Sequence, residues 1–311
     1  MYVAKAVTLA GFGGWRATTL RHLAALNTAR VAVINHAGAR VEGLTLTGGN
    51  YAVIWGDGFA VQIGASGGTL ADCRVSNNVT VQNGLSCAVS ILNDPNLVNR
   101  GVITGCIIDN NRCSGSDYYM TGGGLYLAGG VVENTLIYGN KGSYSGGILL
   151  YGAATIRNCS VVGNIATTAS SGAGLYFKTA AAAVANVLFA GNTNRASSAL
   201  IDVSADSSYA AAATNAFTHG LFEGQGALGT APVRGAARFL KLTGDPGTSD
   251  FRLVRRTPGS NAGLYDSSWM DEATDLYGRP RVKHYRGGQG IVDIGSCEGD
   301  WISPSTLVIL R

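Results

Sequence analysis

The stretches VENTLIYGN (Val132–Asn140) and IRNCSVVGN (Ile156–Asn164) follow one pattern, which recurs four more times along the chain. The other copies are VEGLTLTGG (Val41–Gly49), LADCRVSNN (Leu70–Asn78), ITGCIIDNN (Ile103–Asn111) and VANVLFAGN (Val184–Asn192). Each copy opens with an aliphatic residue and has Gly, Asp or Asn at its third position. The copies end 29, 33, 29, 24 and 28 residues apart. A repeat of about 20–50 residues is typical of a solenoid, whose stacked repeats bury one continuous core.

The repeat has the pattern of β-strands. Apolar residues alternate around the centre of each copy, and no amphipathic helix of 10–15 residues fits between copies. In VENTLIYGN this alternation predicts that Val132, Leu136 and Tyr138 share one side of the strand. A second apolar strand precedes three copies: GGGLYL (Gly122–Leu127), GGILL (Gly146–Leu150) and GAGLYF (Gly172–Phe177). We therefore predict an all-β chain that forms a right-handed parallel β-helix of about six to eight turns.

Five copies close with asparagine, and we expect these residues to form a structural ladder along the helix. Asparagine tolerates left-handed backbone better than other non-glycine residues, and stacked amides can bond from turn to turn. A polar binding stripe is the alternative. The ladder residues are Asn78, Asn111, Asn140, Asn164 and Asn192. A second polar column, at the third position of the copies, contains Asp72, Gly105, Asn134, Asn158 and Asn186.

The composition agrees with a compact solenoid that carries few charges. The 311 residues include 45 glycines, only 14% are charged, and 46% are hydrophobic, which excludes a disordered chain. The net charge of +4 is too small to indicate a nucleic-acid partner. No run of apolar residues is long enough to span a membrane. We expect no cofactor and a monomeric chain.

Three of the six cysteines occupy the same position in their copies, namely Cys73, Cys106 and Cys159. They have two interpretations, as small buried apolar residues or, for Cys73 and Cys106 in an oxidising compartment, as a disulfide between adjacent turns. No Cys or His spacing indicates a zinc site.

The N-terminal region starts inside the solenoid pattern. The segment Met1–Ala10 lacks the apolar run of a signal peptide, so we expect a signal peptide and an anchor to lie outside this sequence. The leucines of Thr18–Leu26 are three residues apart. This segment is either a short helix over the open end of the core or an irregular first coil.

Four short motifs mark the C-terminal third: DFRL (Asp250–Leu253), TPGSNAG (Thr257–Gly263), TDLYGRPR (Thr274–Arg281) and VDIGSCE (Val292–Glu298). They resemble the terminal cassette of bacterial choice-of-anchor Q proteins, which are right-handed parallel β-helices of the pectate-lyase-like superfamily. The upstream repeats are more loosely similar to those of polymorphic outer-membrane proteins. Asn261 replaces the usual Asp, and Ser296 and Cys297 replace the usual Ala and Tyr. The resemblance implies an exported bacterial protein that is secreted or at the cell surface.

These observations divide the chain into a β-helix over residues 1–230, a cassette over residues 231–300 and a tail over residues 301–311. We expect the cassette to fold across the last turn and to cap the open strand edges and core. The residues expected to fasten it by ion pairs are Asp275, Arg279, Arg281 and Asp293. Calcium or glycan binding by the acidic residues is the alternative.

No established catalytic motif is present in the sequence. The best candidate group is Asp109, Arg112 and Asp117, together with Tyr118 and Tyr119, on the insertion after the third copy. A solvated loop explains this group equally simply, so we assign no catalytic residue.

The sequence leaves three functions open. The first is a non-catalytic adhesion or binding protein for a polysaccharide or a cell-surface partner. The second is a carbohydrate-active enzyme, either a polysaccharide lyase or a glycoside hydrolase, and the third is a passive surface stalk. A binding protein requires aromatic residues in register on an exposed face. Tyr126 and Tyr176 share a frame, but the pattern alone allows them to point into the core.

Overall fold

The computed structural model describes residues 1–23, 29–51, 55–81, 85–92, 101–114, 121–168, 172–179, 181–224, 228–284 and 290–299. Within them the chain winds into a parallel β-helix of about seven turns, which confirms the predicted fold class. Four parallel sheets, named A to D, run along the helix, and each takes one strand from successive turns.

Sheet A contains β1 (Tyr2–Val3), β4 (Ala32–Ile34), β7 (Trp55–Ile63), β11 (Leu85–Ile91), β15 (Leu125–Leu127), β19 (Ile148–Leu150), β23 (Leu175–Phe177) and β27 (Val203–Ala205). Sheet B contains β2 (Thr8–Ala10), β5 (Arg40–Glu42), β8 (Gly68–Ala71), β12 (Gly101–Thr104), β16 (Val131–Glu133), β20 (Ala154–Arg157), β24 (Ala182–Ala185) and β28 (Phe217–Thr218).

Sheet C contains β3 (Thr19–Arg21), β6 (Thr45–Thr47), β9 (Arg74–Ser76), β13 (Ile107–Asp109), β17 (Leu136–Tyr138), β21 (Ser160–Val162), β25 (Leu188–Ala190), β29 (Leu221–Phe222) and β30 (Val233–Arg234). Sheet D contains β10 (Val79–Thr80), β14 (Arg112–Cys113), β18 (Lys141–Gly142), β22 (Ile165–Ala166) and β26 (Thr193–Asn194). Two antiparallel pairs follow: β31 (Phe239–Lys241) with β32 (Asp250–Leu253), and β33 (Lys283–His284) with β34 (Gly290–Ile291). The helices are a 3₁₀ turn (Ser207–Tyr209), α1 (Ala210–Ala216) and α2 (Ser267–Met270).

The repeated motif contains a strand of sheet B, a corner and a strand of sheet C. The corner lies at the third motif position, where Asn134 and Asn158 have φ values of 47° and 51°. This left-handed backbone explains why only Gly, Asn and Asp occur there. The corner also breaks the alternation. Val132 therefore faces the core, whereas Leu136 and Tyr138 face outward, so the prediction that all three share one side is wrong.

The N-terminal end of the β-helix differs from one of our two expectations for Thr18–Leu26. The helical interpretation of Thr18–Leu26 is wrong over Thr19–Arg21, which forms β3, and residues 24–28 lie outside the described part of the chain. At the other end, the short helix α1 buries Ala213 against the last turn, next to Tyr209 and Ala216.

The described part of the cassette covers the side of the β-helix, and closure of the last turn by the cassette stays a prediction. The outer face of sheet C is apolar, and the cassette packs on it to form a second hydrophobic core. The helix contributes Ile107, Leu136, Val162, Leu188 and Leu221 to this core, and the cassette contributes Phe251, Leu253, Ile294 and Cys297. The outward apolar side chains explain this placement, because they need cover over several turns.

Polar contacts fix the cassette along the same face. Asp245 pairs with Arg74 at 2.8 Å, near the first turns. The Ser296 N–H donates to Ser160 Oγ at 2.9 Å further along the helix.

All six cysteines are buried and free. Cys73 and Cys106 are therefore small buried residues, as in the first of our two interpretations, and they form no disulfide with each other. Among the described residues, no helix is long and apolar enough to cross a membrane.

Candidate functional site

The asparagines at the ends of the motif copies lie in one buried column. Asn140 Oδ1 accepts the backbone N–H of Asn111 at 3.0 Å and its side-chain amide at 2.9 Å. Asn140 Nδ2 donates to the carbonyl of Ile108 at 2.8 Å and to Asn164 Oδ1 at 3.1 Å. Each amide thus joins its own turn to the two neighbouring ones. The same bonds relate Asn78, Asn111, Asn164 and Asn192.

This column has two ends. Gly49, which ends the first motif copy, has no side chain and supplies only its N–H, which donates to Asn78 Oδ1 at 2.7 Å. At the other end Asn192 Nδ2 donates to Asp202 Oδ1 at 3.3 Å. Burial raises the pKa of Asp202, which lies outside the motif and had no sequence signal. Because every side-chain amide of the column is buried and hydrogen-bonded within the β-helix, the column has no group free for a ligand.

The two described candidate catalytic residues, Asp109 and Arg112, lie on different sheets. Asp109 is fully buried on the outer side of sheet C, and it forms a two-pronged ion pair with Arg74 at 2.9 and 2.8 Å. Arg112 lies beyond the next corner, exposed on sheet D. Asp117, Tyr118 and Tyr119 lie outside the described residues.

The environment of Asp109 suits a structural role. Burial raises the pKa of this carboxyl, while the bonds from Arg74 oppose the rise. Arg74 also pairs with Asp245 of the cassette and lies 5.5 Å from the ring of Trp15. Asp109 is therefore part of the contact that holds the cassette against the helix. Arg74 was missed in the sequence because it is one of several outward residues of sheet C.

Of the four cassette residues that we expected to form ion pairs, Asp275 and Asp293 bond to backbone N–H groups. The Asp275 carboxylate accepts three backbone N–H groups, including those of Arg279 and Glu298 at 2.9 Å each. The Asp293 carboxylate accepts the N–H groups of Asn261 at 2.6 Å and Gly299 at 2.8 Å. These carboxylates therefore fix loop backbones.

The buried partner of Arg281 is Glu298, with Nε and Oε1 3.3 Å apart. Arg281 Nη2 also donates to the carbonyls of Asp293 and Gly295. Burial raises the pKa of Glu298 to about 8, although Arg281 opposes the rise. Glu298 is the last residue of the motif VDIGSCE. Its place in this motif was the one feature of the sequence that could have indicated its role.

Aromatic residues gather on the outer face of sheet A. The pairing of β11, β15, β19, β23 and β27 places Ser90, Tyr126, Leu149, Tyr176 and Ser204 in one column. Tyr126 and Tyr176 therefore lie outside the main core, although they are only 5% and 7% exposed. We call Tyr126, Tyr144, Tyr151 and Tyr176 the tyrosine face.

The tyrosines pack against one another in pairs. The rings of Tyr126 and Tyr151 are 5.7 Å apart, and the rings of Tyr144 and Tyr176 are 5.4 Å apart and nearly perpendicular. Tyr151 is 41% exposed and has Lys178 Nζ 5.8 Å from its ring centre. Burial raises the pKa values of Tyr126 and Tyr176, so both hydroxyls stay protonated and able to donate.

Two hydroxyls beside the tyrosines lack partners. Ser90 Oγ and Ser204 Oγ are buried, and neither has a hydrogen-bond partner in the described part of the protein. Buried polar groups are normally paired, so these two hydroxyls beside the aromatic column are exceptions. Tyr144 and Tyr151 were missed in the sequence, although Tyr151 directly follows the GGILL strand.

Among the described residues, no group of three or more His, Cys, Asp or Glu side chains has a geometry that could hold a metal ion. Comparisons with protein-family models, with curated proteins and with solved structures found no match for this chain. The resemblance of the cassette to choice-of-anchor Q proteins therefore stays a prediction.

Proposed function

We propose that this chain is a non-catalytic β-helix protein, exported or at the cell surface, that binds a glycan or a glycosylated partner through the tyrosine face. The observation that carries the proposal is the column on sheet A, where tyrosine rings and unpaired serine hydroxyls share one outward face. Tyrosine offers an apolar ring and a polar tip, which suits the apolar faces and hydroxyl edges of sugars.

Tyr144 and Tyr151 would make the first contact, because they lie over the more buried pair. Tyr151 is the most exposed member of the tyrosine face at 41%. The rigid wall beneath fixes the spacing of the rings, since neighbouring parallel strands are about 4.8 Å apart. A preorganised surface loses little conformational entropy on binding, which favours affinity without chemistry.

The enzyme alternative has less support. A glycosidase needs two carboxyl groups on opposite sides of the bond that it cleaves. Of the acidic candidates that the structure describes, Asp109 is buried under the cassette and engaged by Arg74. The exported or surface location is supported by the resemblance of the cassette motifs alone.

The test is a glycan array probed with the folded chain and with the double variant Tyr144→Ala/Tyr151→Ala. Tyr2→Ala is the matched control, because Tyr2 is 66% exposed at the other end of sheet A. We expect the wild type and the control to bind the same neutral glycans, and the double variant to lose at least about tenfold in affinity, the size of one lost aromatic contact or more. Equal binding by all three proteins would contradict the proposal.

A further inference from the structure

A row of cations lies on sheet D, away from the tyrosine face. The strands of this sheet have two residues each, of which the first points outward and the second faces the core. Strand pairing aligns the outward positions of successive turns, which are Val79, Arg112, Lys141, Ile165 and Thr193. Arg195 follows two residues after Thr193 and bonds through its N–H to the carbonyl of Ala166 at 2.8 Å.

The three cations Arg112, Lys141 and Arg195, here named the basic row, have no ion-pair partner among the described residues. Burial and then the charges of Arg112 and Arg195 lower the pKa of Lys141, so the three groups repel one another. One carboxylate lies at the edge of this region, since Glu223 Oε2 accepts the N–H of Gly191 at 2.7 Å. Like charges that form no ion pair with the described residues favour an anionic ligand.

The surface around two members of the row, Lys141 and Arg195, is concave. Lys141 and Arg195 line a depression of about 400 Å³, whose floor includes Gly163, Gly191 and Thr193. Gly163 and Gly191 have φ values of 63° and 61°, so the glycines at this corner open the space next to the cations.

We propose that the basic row binds a linear acidic polysaccharide, whose carboxylate or sulfate groups lie across successive turns of the β-helix. The row extends from the turn of β14 to the turn of β26, three strand spacings or about 14 Å. This length exceeds that of one small anion and fits a chain with repeated charges. The proposal is independent of the tyrosine face, with which the basic row shares no residue.

The neighbouring side chains favour a polysaccharide over a nucleic acid. Single-stranded nucleic acids are bound by aromatic rings that stack on the bases, combined with cations. The outward positions of sheet D between and beside the cations hold Val79, Ile165 and Thr193, none of which is aromatic.

The experiment measures binding of the full chain to dextran sulfate, carboxymethyl dextran and unmodified dextran, which share one backbone and differ in charge. A single-stranded oligonucleotide is the fourth probe. The test variant is Arg112→Gln/Lys141→Gln/Arg195→Gln. The control variant, Arg234→Gln/Lys241→Gln/Arg255→Gln, removes the same charge from exposed positions of the cassette region.

We expect the wild type and the control variant to bind both charged dextrans, with affinity that falls as salt rises, and not to bind unmodified dextran. The test variant should bind the charged dextrans about tenfold or more weakly and show a smaller salt dependence. Because the three side chains point outward, it should melt like the wild type. If it does not fold, the single variants Arg112→Gln and Lys141→Gln replace it, and each should weaken binding measurably.

Two results would overturn the proposal. One is equal binding of charged dextrans by the test and control variants, which would assign any affinity to overall charge. The other is binding of the oligonucleotide at least as tightly as the charged dextrans, which would point to a nucleic-acid surface. Neither result bears on the array test with neutral glycans, so the two proposals can fail separately.

Discussion

At the scale of single residues, the asparagine column fixes how neighbouring turns of the β-helix align. Asn140 is fully buried, and its amide makes four hydrogen bonds to three other residues. A buried amide that loses its partner costs more than the bond itself contributes, because the remaining group is left without water. The column therefore behaves as a continuous seam between the turns.

Replacement of Asn140 by Ala should lower the free energy of unfolding by about 1–3 kcal/mol, because it leaves buried groups of Asn111, Asn164 and Ile108 unpaired. The control is Asn215→Ala, which makes the same chemical change at an exposed position of α1 and should alter stability by less than about 0.5 kcal/mol. Chemical denaturation of both variants measures the difference. Indistinguishable midpoints for the two would show that the column does not stabilise the fold.

The alignment of these asparagines in one column could be predicted from the sequence, but their backbone conformation could not. We expected left-handed backbone to explain the column itself. It occurs one residue earlier, at Asn77, Asn110 and Gly139, and again at the third motif position. Periodicity reports which residues align between turns. It does not report where the chain bends within a turn, because a single left-handed residue changes the direction of all side chains after it.

At the scale of elements, the outer face of sheet C decides where the cassette lies. The sequence indicated a cap, but the predicted alternation put Leu136 and Tyr138 on the same side as the core residue Val132, and the corner breaks that alternation. Because these residues were not known to face outward, the open end of the helix was the only apolar surface for which the sequence predicted a cover. The burial of Asp109 was not predicted for the same reason, since its partner Arg74 also pairs with Asp245 of the cassette.

The buried carboxyl of Glu298 should make the cassette sensitive to pH. Its pKa is raised from 4.5 to about 8, chiefly by burial, so the folded state holds the proton more tightly than the unfolded chain. This contribution to stability is complete below about pH 4.5 and is lost as pH rises through about 8. Arg281, Asp293 and Lys283 are the charged groups that act on it.

We therefore expect the denaturation midpoint of the wild type to fall between pH 5 and pH 9, and that of Glu298→Gln to change less over this range. Glu272→Gln, at an exposed position of the cassette, is the control and should follow the wild type. A Glu298→Gln variant with the pH profile of the wild type would contradict the assignment.

At the scale of the whole molecule, the protein is a β-helix of about seven turns with a cassette folded along one side. A chain that ends at Ser249 would lose Phe251, Leu253, Ile294 and Cys297 and expose the apolar outer face of sheet C. We expect this truncated chain to aggregate, because large exposed apolar patches drive association. Size-exclusion chromatography measures the outcome.

A second truncated chain distinguishes two causes of aggregation, the uncovered outer face of sheet C and the open strand edges at the end of the helix. Leu136→Lys/Leu188→Lys places two charges on the uncovered face, so it should restore a monomer if that face causes the aggregation. A truncated chain that stays monomeric without these changes would show that the cassette is an independent appendage. Aggregation that persists with the two lysines would assign the cause to open strand edges.

We propose that the protein binds glycans without changing them, and a retention experiment distinguishes binding from catalysis. The folded chain is immobilised and incubated with a mixture of neutral and acidic oligosaccharides of defined length, and the retained sugars are eluted and weighed by mass spectrometry. We expect sugars to be retained and recovered at their original mass, with less retention by Tyr144→Ala/Tyr151→Ala. Shortened or unsaturated products would identify an enzyme, and an absence of retained sugars would leave only a structural role for the outer faces of the β-helix.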